Sequence, residues 1–312
     1  MVSAEARVVV SKRHFGYVLP KNGGHFDALR FDAEVPTDTY QEFLEMIAVT
    51  SELRPFVIDY MGLEANFQSF ERIEDDIRTD YETMENPLIG GALTQTSKFW
   101  KTQSTLSNFL CSASAFRDRS QTRLRERYGK TSSQYTVIDN AITAAYDSAI
   151  EYRLFYNLRN YAQHHDIPFS HIPVNATRHV ETGKVEETVA IVLKPSALTS
   201  SSLIQKSFVR NDLAKMTDDI DLSKFARVYM KLHAGFMRKI VDLQAQRLAE
   251  MHQYEAVVMK QLKVPPGAYP VIWEGGIATA ENESINAKFS YFSFDELDLI
   301  KVLYERAVAL SD

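Results

Sequence analysis

From Leu53 through Phe56, Tyr60, Leu63, Phe67, Phe70, Ile73 and Ile77 to Tyr81, apolar residues return every three or four positions. That period lies on one side of a 3.6-residue helix, so the segment predicts an amphipathic helix with one buried stripe. The same spacing follows the helix start Pro36-Thr37-Asp38, in Tyr40, Phe43, Leu44 and Ile47. After the breakers Pro87 and Gly90-Gly91, a third helix is expected from Thr94 to about Tyr128, with Trp100, Leu106, Leu110, Ala113, Phe116 and Leu124 inside. A fourth is expected from Gln134 to His164, its inner line running Ile138, Ile142, Ala145, Ala149, Tyr152 and Tyr156.

The later chain mixes the two periodicities. Pro195-Ser196 starts a helix to about Met216. Asp221 then caps a run from Phe225 through Val228, Leu232, Phe236, Ile240, Leu243, Met251, Tyr254 and Val258 to Leu262. As one helix it would be roughly 60 Å long, with one gap in its stripe at Arg247 and a bend expected at Gly235. Short strands are expected at Arg7–Val10, Phe15–Leu19, Val271–Trp273 and Lys288–Phe292, with a turn at Asn22-Gly23-Gly24. Arg178-His179-Val180 and Glu187–Leu193 flank the turn Thr182-Gly183-Lys184 and read as a β-hairpin. A last helix is capped by Ser293 with Glu296 at capping-box spacing. The expected fold is therefore mainly α, a multi-helix bundle with small β-hairpin decorations, over 1–312 as one unit. The alternative is a subdivision near 170–195.

Composition narrows the chemistry. A single cysteine, Cys111, in the apolar run Phe109-Leu110-Cys111-Ser112-Ala113, allows neither an intrachain disulfide nor a cysteine-rich zinc cage and reads as a small core residue. No run approaches the roughly 18 apolar residues that spanning a membrane requires, so a soluble, cytoplasmic protein is expected. No Gly-rich phosphate loop and no nucleophile-elbow serine motif is present. His164, His165, His171 and His179 have no partners at metal-ligand spacing, so neither metal nor cofactor is expected. The acidic stretch Glu71 to Asp76 reads as a solvated face. The formal charge of −6 argues against a generally basic coat. A local one exists nonetheless: Arg117, Arg119, Arg123, Arg125, Arg127 and Lys130 are six cations within fourteen residues. They read either as a solvated helix end favoured by the helix dipole or as a landing strip for phosphates.

Chemistry gathers at the end of the fourth helix, in Leu158-Arg159-Asn160-Tyr161-Ala162-Gln163-His164-His165-Asp166-Ile167-Pro168. An arginine supplies a planar, permanently charged fork for phosphate oxygens. Histidine exchanges protons near neutrality. Together they suffice to cleave an RNA phosphodiester without metal, because the 2′-hydroxyl is the built-in nucleophile. Asn160 and His164, at i and i+4, are helix neighbours, so the amide is placed to orient the imidazole. Arg159 and His164 stand about 140° apart around an ideal helix, which calls for unwinding at His164 or a second copy of the site. The plainer alternative is a polar C-cap segment whose amides bond solvent and neighbouring helices.

Arg159-Asn160-Tyr161-Ala162-Gln163-His164, near the end of a helix in a mainly α chain, resembles the Arg-Asn-x-x-x-His motif of the HEPN superfamily; taking His165 instead gives the five-residue form. The resemblance covers the helical region around 36–168. It implies a metal-independent endoribonuclease of the kind found in toxin, phage-defence and CRISPR-associated systems, with Arg159 and His164 catalytic and Asn160 supporting. It further implies a composite site in a homodimer, RNA as partner and, in toxin systems, an antitoxin. The alternative class is a non-catalytic HEPN-like helical scaffold, or an RNA- or nucleotide-binding protein acting through oligomerisation, with the long Phe225–Leu262 helix mediating assembly.

Overall fold

The computed structural model describes residues 12–20, 26–82, 92–164, 167–178, 185–199, 204, 206–274, 288–291 and 294–311. The strand expected at Arg7–Val10, the turns at Asn22–Gly24 and Thr182–Lys184, His165, His179 and the cap Ser293 lie outside the described residues. Within them the chain is mainly helical with small antiparallel strand pairs, as its periodicity requires. It divides into two compact units, Met1–Pro55 with Gln244–Leu303 and Phe56–Leu243 with Tyr304–Asp312, so 170–195 falls inside the second unit.

The first unit carries a four-stranded antiparallel sheet in the order β2-β1-β7-β8, where β1 is Arg13–Pro20, β2 Phe26–Glu34, β7 Tyr269–Glu274 and β8 Lys288–Tyr291. The N-terminal part of α1 (Thr37–Glu71), α9 (Ala245–Leu262) and most of α10 (Phe294–Ser311) belong to the same unit. Its core includes Phe43, Val49, Leu53, Met251, Ile272 and Leu297. Arg247, the gap in the apolar stripe, has a polar purpose: its Nη1 donates to Glu52 Oε2 at 2.8 Å, and its Nη2 donates to the Glu45 carbonyl at 3.2 Å.

The second unit holds the rest of α1, then α2 (Ile73–Glu82), α3 (Ala92–Tyr128), α4 (Ser133–Ser148), α5 (Ile150–His164), α6 (Pro195–Thr199), α7 (Lys206–Asn211), α8 (Leu222–Asp242) and the end of α10. The expected hairpin is present as β3 (Val174–Arg178) against β4 (Val185–Val189), beginning four residues earlier than the β pattern at 178 suggests. β5 (Val192–Leu193) pairs with β6 (Ile220–Asp221).

Four helix boundaries differ from the periodicity, each for a local reason. The first two expected helices are one: α1 runs through Pro55, which has no N–H for the Ser51 carbonyl, and ends at Glu71, with Arg72 separating it from α2. The helix expected over 134–164 is two, because Ala149 takes an extended conformation (φ −109°, ψ 118°) between α4 and α5. The long rod over 225–262 is also two helices, interrupted at Leu243-Gln244 while α8 passes unbroken through Gly235. The helix expected from Pro195 to Met216 is split into α6, α7 and a 3-10 turn at Leu213–Lys215.

The second unit's core centres on Phe109 of α3. Its ring lies 5.4 Å from that of Phe67 and 6.1 Å from that of Phe70 on α1, 6.0 Å from that of Phe155 on α5, and 5.9 Å from that of Tyr229 on α8. Leu106, Leu110, Ala113, Phe116 and Leu124 are buried on the same helix as expected, but Trp100 is 65% exposed. Besides Phe116, α3 buries Phe109, about two and a half turns beyond Trp100. Replacing Phe109 by alanine should therefore cost about 3–5 kcal/mol in a urea melt, the range for a truncated core phenylalanine. Trp100→Ala should stay within about 0.5 kcal/mol of the parent.

Candidate functional site

The position of α5 follows from its first turn. Arg153 donates from Nε and Nη2 to the two carboxylate oxygens of Asp212, both at 2.9 Å. Its Nη1 donates to the carbonyls of Tyr146 and Asp147 at 2.7 and 3.0 Å, serving two acceptors in the last turn of α4, where the helix leaves carbonyls unpaired. One guanidinium thus closes α4, ties α5 to the segment after α7, and sets the phase in which α5 continues. In that phase Tyr152, Leu154, Phe155, Asn157, Leu158 and Tyr161 are buried. Ile142 and Tyr156, expected on the inner line, are half-buried.

The other side of α5 presents the motif. Arg159 and Asn160 are half-buried, and Gln163 and His164 are exposed in the last turn. Arg159 Nη1 donates to Asn160 Oδ1 at 3.1 Å, while its Nε is buried without a partner. Asn160 therefore fixes the arginine, where helical spacing had placed it beside His164. Gln163 Nε2 donates to Cys111 Sγ at 3.3 Å, so the cysteine is half-exposed on α3 beside the motif and not a core residue.

The basic stretch of α3 separates into three kinds of residue. Arg117 is turned inward with 11% of its side chain exposed: Nε donates to Asp118 Oδ1 at 2.7 Å and the guanidinium lies 4.8 Å from the Tyr156 ring. Arg119 and Arg123 both donate to Asp59, at 2.7 and 2.5 Å, and Asp59 is only 9% exposed. Arg125, Arg127 and Lys130 stand exposed at the helix end, Arg127 with its guanidinium 5.4 Å from the Tyr128 ring.

Behind Arg117 lies a polar cluster that the apolar stripe does not predict. The buried face of α8 includes Tyr229, His233, Phe236, Met237 and Ile240: Phe236 and Ile240 lie on the expected line, while in the first half Phe225, Val228 and Leu232 are one residue out of phase and Val228 is 37% exposed. The i, i+4 spacing of Tyr229 and His233 carried the signal. Their rings are 4.4 Å apart, and the Tyr152 ring lies 5.4 Å from Tyr229 and 5.9 Å from His233. His233 Nδ1 donates to the Tyr229 carbonyl at 2.9 Å. Arg117 Nη1, Tyr152 Oη, Tyr229 Oη and His233 Nε2 are all buried without a hydrogen-bond partner of normal geometry among the described residues. Tyr152 still engages the Arg117 guanidinium and His233 the Ala113 backbone, so the full cost of about 1–3 kcal/mol for an unpaired buried group applies to the Tyr229 hydroxyl.

Charges in the cluster respond accordingly. Burial pushes the Tyr152 and Tyr229 phenols up, against the opposing pull of Arg117. Burial works most strongly against the charge on Arg117, but the bond to Asp118 together with the fields of Tyr152, Tyr229 and Asp118 outweighs that penalty and keeps it protonated. Burial, with Arg117 adding to it, pushes His233 down to about 4.

Three clefts flank these elements or the first unit. The first, of about 350 Å³, is lined by Arg117, Asp118, Gln121, Tyr146, Tyr152 and Tyr156 among others. A second, of about 320 Å³, surrounds the Arg153–Asp212 pair. A third, of about 420 Å³, lies in the first unit between Glu42, Met46, Arg247 and Tyr254. Arg159, Asn160 and His164 line none of the three. Among the described residues no three His, Cys, Asp or Glu side chains form a group that would hold a metal ion, and no helix is long and apolar enough to cross a membrane.

The His233 shift has a direction in pH. With the folded value near 4 and the unfolded value near 6.5, the unfolded chain binds more protons between those limits, so stability falls as pH drops from 6.5 towards 4. The loss should be about 3 kcal/mol in urea melts taken across that window, and His233→Phe, which keeps an aromatic ring, should flatten the slope. An equal slope in both proteins would assign the loss elsewhere. No protein-family model, curated protein or solved structure matches this chain.

Proposed function

We propose that the chain is a metal-independent endoribonuclease of the HEPN type, acting in the cytoplasm as a homodimer in a toxin or phage-defence role, with an antitoxin as a further partner in the toxin case. The observation that carries this reading is the end of α5. There Arg159 is held by Asn160 on a helix anchored at its other end through Arg153, and His164 stands exposed in the last turn. In the reaction His164 takes the proton from the 2′-hydroxyl, and the freed oxygen attacks the adjacent phosphorus. Arg159 balances the charge that builds on the phosphorane oxygens, and the chain breaks to leave a 2′,3′-cyclic phosphate and a 5′-hydroxyl. Because one helix holds its own Arg159 and His164 about 140° apart, the His164 that acts beside a given Arg159 belongs to the other copy, and the leaving 5′-oxygen takes its proton from the dimer's remaining histidine. The exposed cations Arg125, Arg127 and Lys130 meet the RNA backbone.

The alternative, a non-catalytic scaffold, drew on one continuous rod over 225–262, which is divided into α8 and α9. Incubating the purified protein with single-stranded RNA in EDTA separates the two readings. The parent should cleave and leave cyclic-phosphate ends, while Arg159→Ala and His164→Ala should each slow cleavage by roughly 10²- to 10⁴-fold. An inert parent, or three proteins that cleave alike, defeats the enzymatic reading.

A further inference from the structure

The cleft of about 350 Å³ bounded by α3, α4 and α5 is not used by the proposed reaction, and its lining is specific in kind. Its walls are the half-buried rings of Tyr146 and Tyr156, whose centroids are 5.6 Å apart at 85°, together with Ile142. Its floor is Tyr152 and the guanidinium of Arg117, packed against the Tyr156 ring. The polar groups at its mouth are mainly acceptors. Asp118, 59% exposed, gives Oδ1 to Arg117 and keeps its second oxygen. Gln121, one turn on and on the same helix face, gives its Nε2 to Asp139 at 2.9 Å and so presents Oε1.

Flat apolar walls with a carboxylate and an amide oxygen at the rim select a planar ligand that offers adjacent N–H donors. An anion would meet the Asp118 carboxylate, and Arg117 already has its charge partner there. Among the RNA bases guanine alone presents two neighbouring donors, N1–H and the N2 amino group, on its pairing edge. Adenine and cytosine place a ring-nitrogen acceptor beside their amino group, which would face the carboxylate. The volume is near the lower end for a small-molecule pocket, room for one base and not a stacked pair. Along α5, Tyr156 lies three residues before Arg159, about 4.5 Å of helix rise, so a base seated here belongs to a nucleotide close to the cleaved bond.

We propose that this cleft takes an unpaired guanine of the RNA substrate, stacked on one of the two perpendicular tyrosine rings with the other ring against its edge, and held at its pairing edge by Asp118 and Gln121. The assignment of RNA rests on the ribonuclease reading, whereas binding of the base can be measured without any cleavage.

The test is titration of the full-length protein with guanosine, inosine and adenosine, followed by saturation-transfer NMR and calorimetry. Guanosine should bind saturably and at least about tenfold more tightly than inosine, which lacks the amino group, or adenosine. Asp118→Asn should erase that preference. Thr143→Trp, which adds bulk at an exposed position on the rim, should abolish binding of all three without disturbing the core. Absence of saturable guanosine binding, or binding that Thr143→Trp leaves unchanged, overturns the pocket. Cleavage in EDTA without guanosine binding would retain the ribonuclease and remove the guanine site. Guanosine binding without cleavage would retain the site and remove the ribonuclease.

Discussion

Everything around the motif depends on one aromatic contact set, the ring of Phe109 against Phe67, Phe70, Phe155 and Tyr229. These four partners come from α1, α5 and α8, so a single α3 side chain is the point at which three other helices meet. Rings favour tilted and edge-on contacts, and the interplanar angles of 49°, 68° and 83° to Phe67, Phe155 and Tyr229 follow that preference. Offset geometry of this kind fixes helix rotation as well as separation. The rotation of α5 in turn decides that Phe155 and Leu158 face inward while Arg159, Asn160 and His164 face out.

Helix content and the approximate place of most elements were legible because amphipathic spacing survives without knowledge of partners. The breaks were not. Ala149 is the best of helix formers by intrinsic propensity, and its extended conformation is stabilised from outside, by Arg153 bonding the carbonyls of Tyr146 and Asp147 and by Asp212 bonding Arg153. No window of local sequence contains Asp212, which lies fifty-nine residues beyond Arg153. Gly235, the residue that propensity marks as weak, sits inside an unbroken helix because both neighbouring turns bury residues such as Met230, Ala234 and Met237. Two of the three boundaries between the compact units coincide with interruptions of the helical ladder, at Pro55 and at Leu243-Gln244.

The motif was legible as a cluster and misread in its pairing. Helical spacing makes Asn160 and His164 neighbours, yet a side-chain amide bonds whichever group reaches it in the rotamer that packing allows. Arg159, long enough to fold back along the helix surface, reaches it first. Charge counting misled in the same way on α3. Six cations in fourteen residues look alike in sequence, but Asp59 absorbs two and Asp118 with the tyrosine rings absorbs a third, leaving the end of the helix as its cationic surface.

Three arginines on neighbouring turns of α3 and α5 show how surroundings assign roles to one side chain. Arg153 is bonded on three nitrogens and is structural, since moving it would release both Asp212 and the end of α4. Arg117 is satisfied through Nε and shielded by tyrosines, so its charge belongs to Asp118 and the cluster behind it. Arg159 is restrained at Nη1, with Nε buried, and no carboxylate among the described residues pairs with it. A guanidinium that is oriented, half-exposed and without a carboxylate partner is the state in which an arginine can meet an incoming phosphate at little reorganisation cost. His164 shares the exposure but not the side of the helix. In the reaction proposed above, that difference of side is why the histidine beside Arg159 is assigned to a second chain.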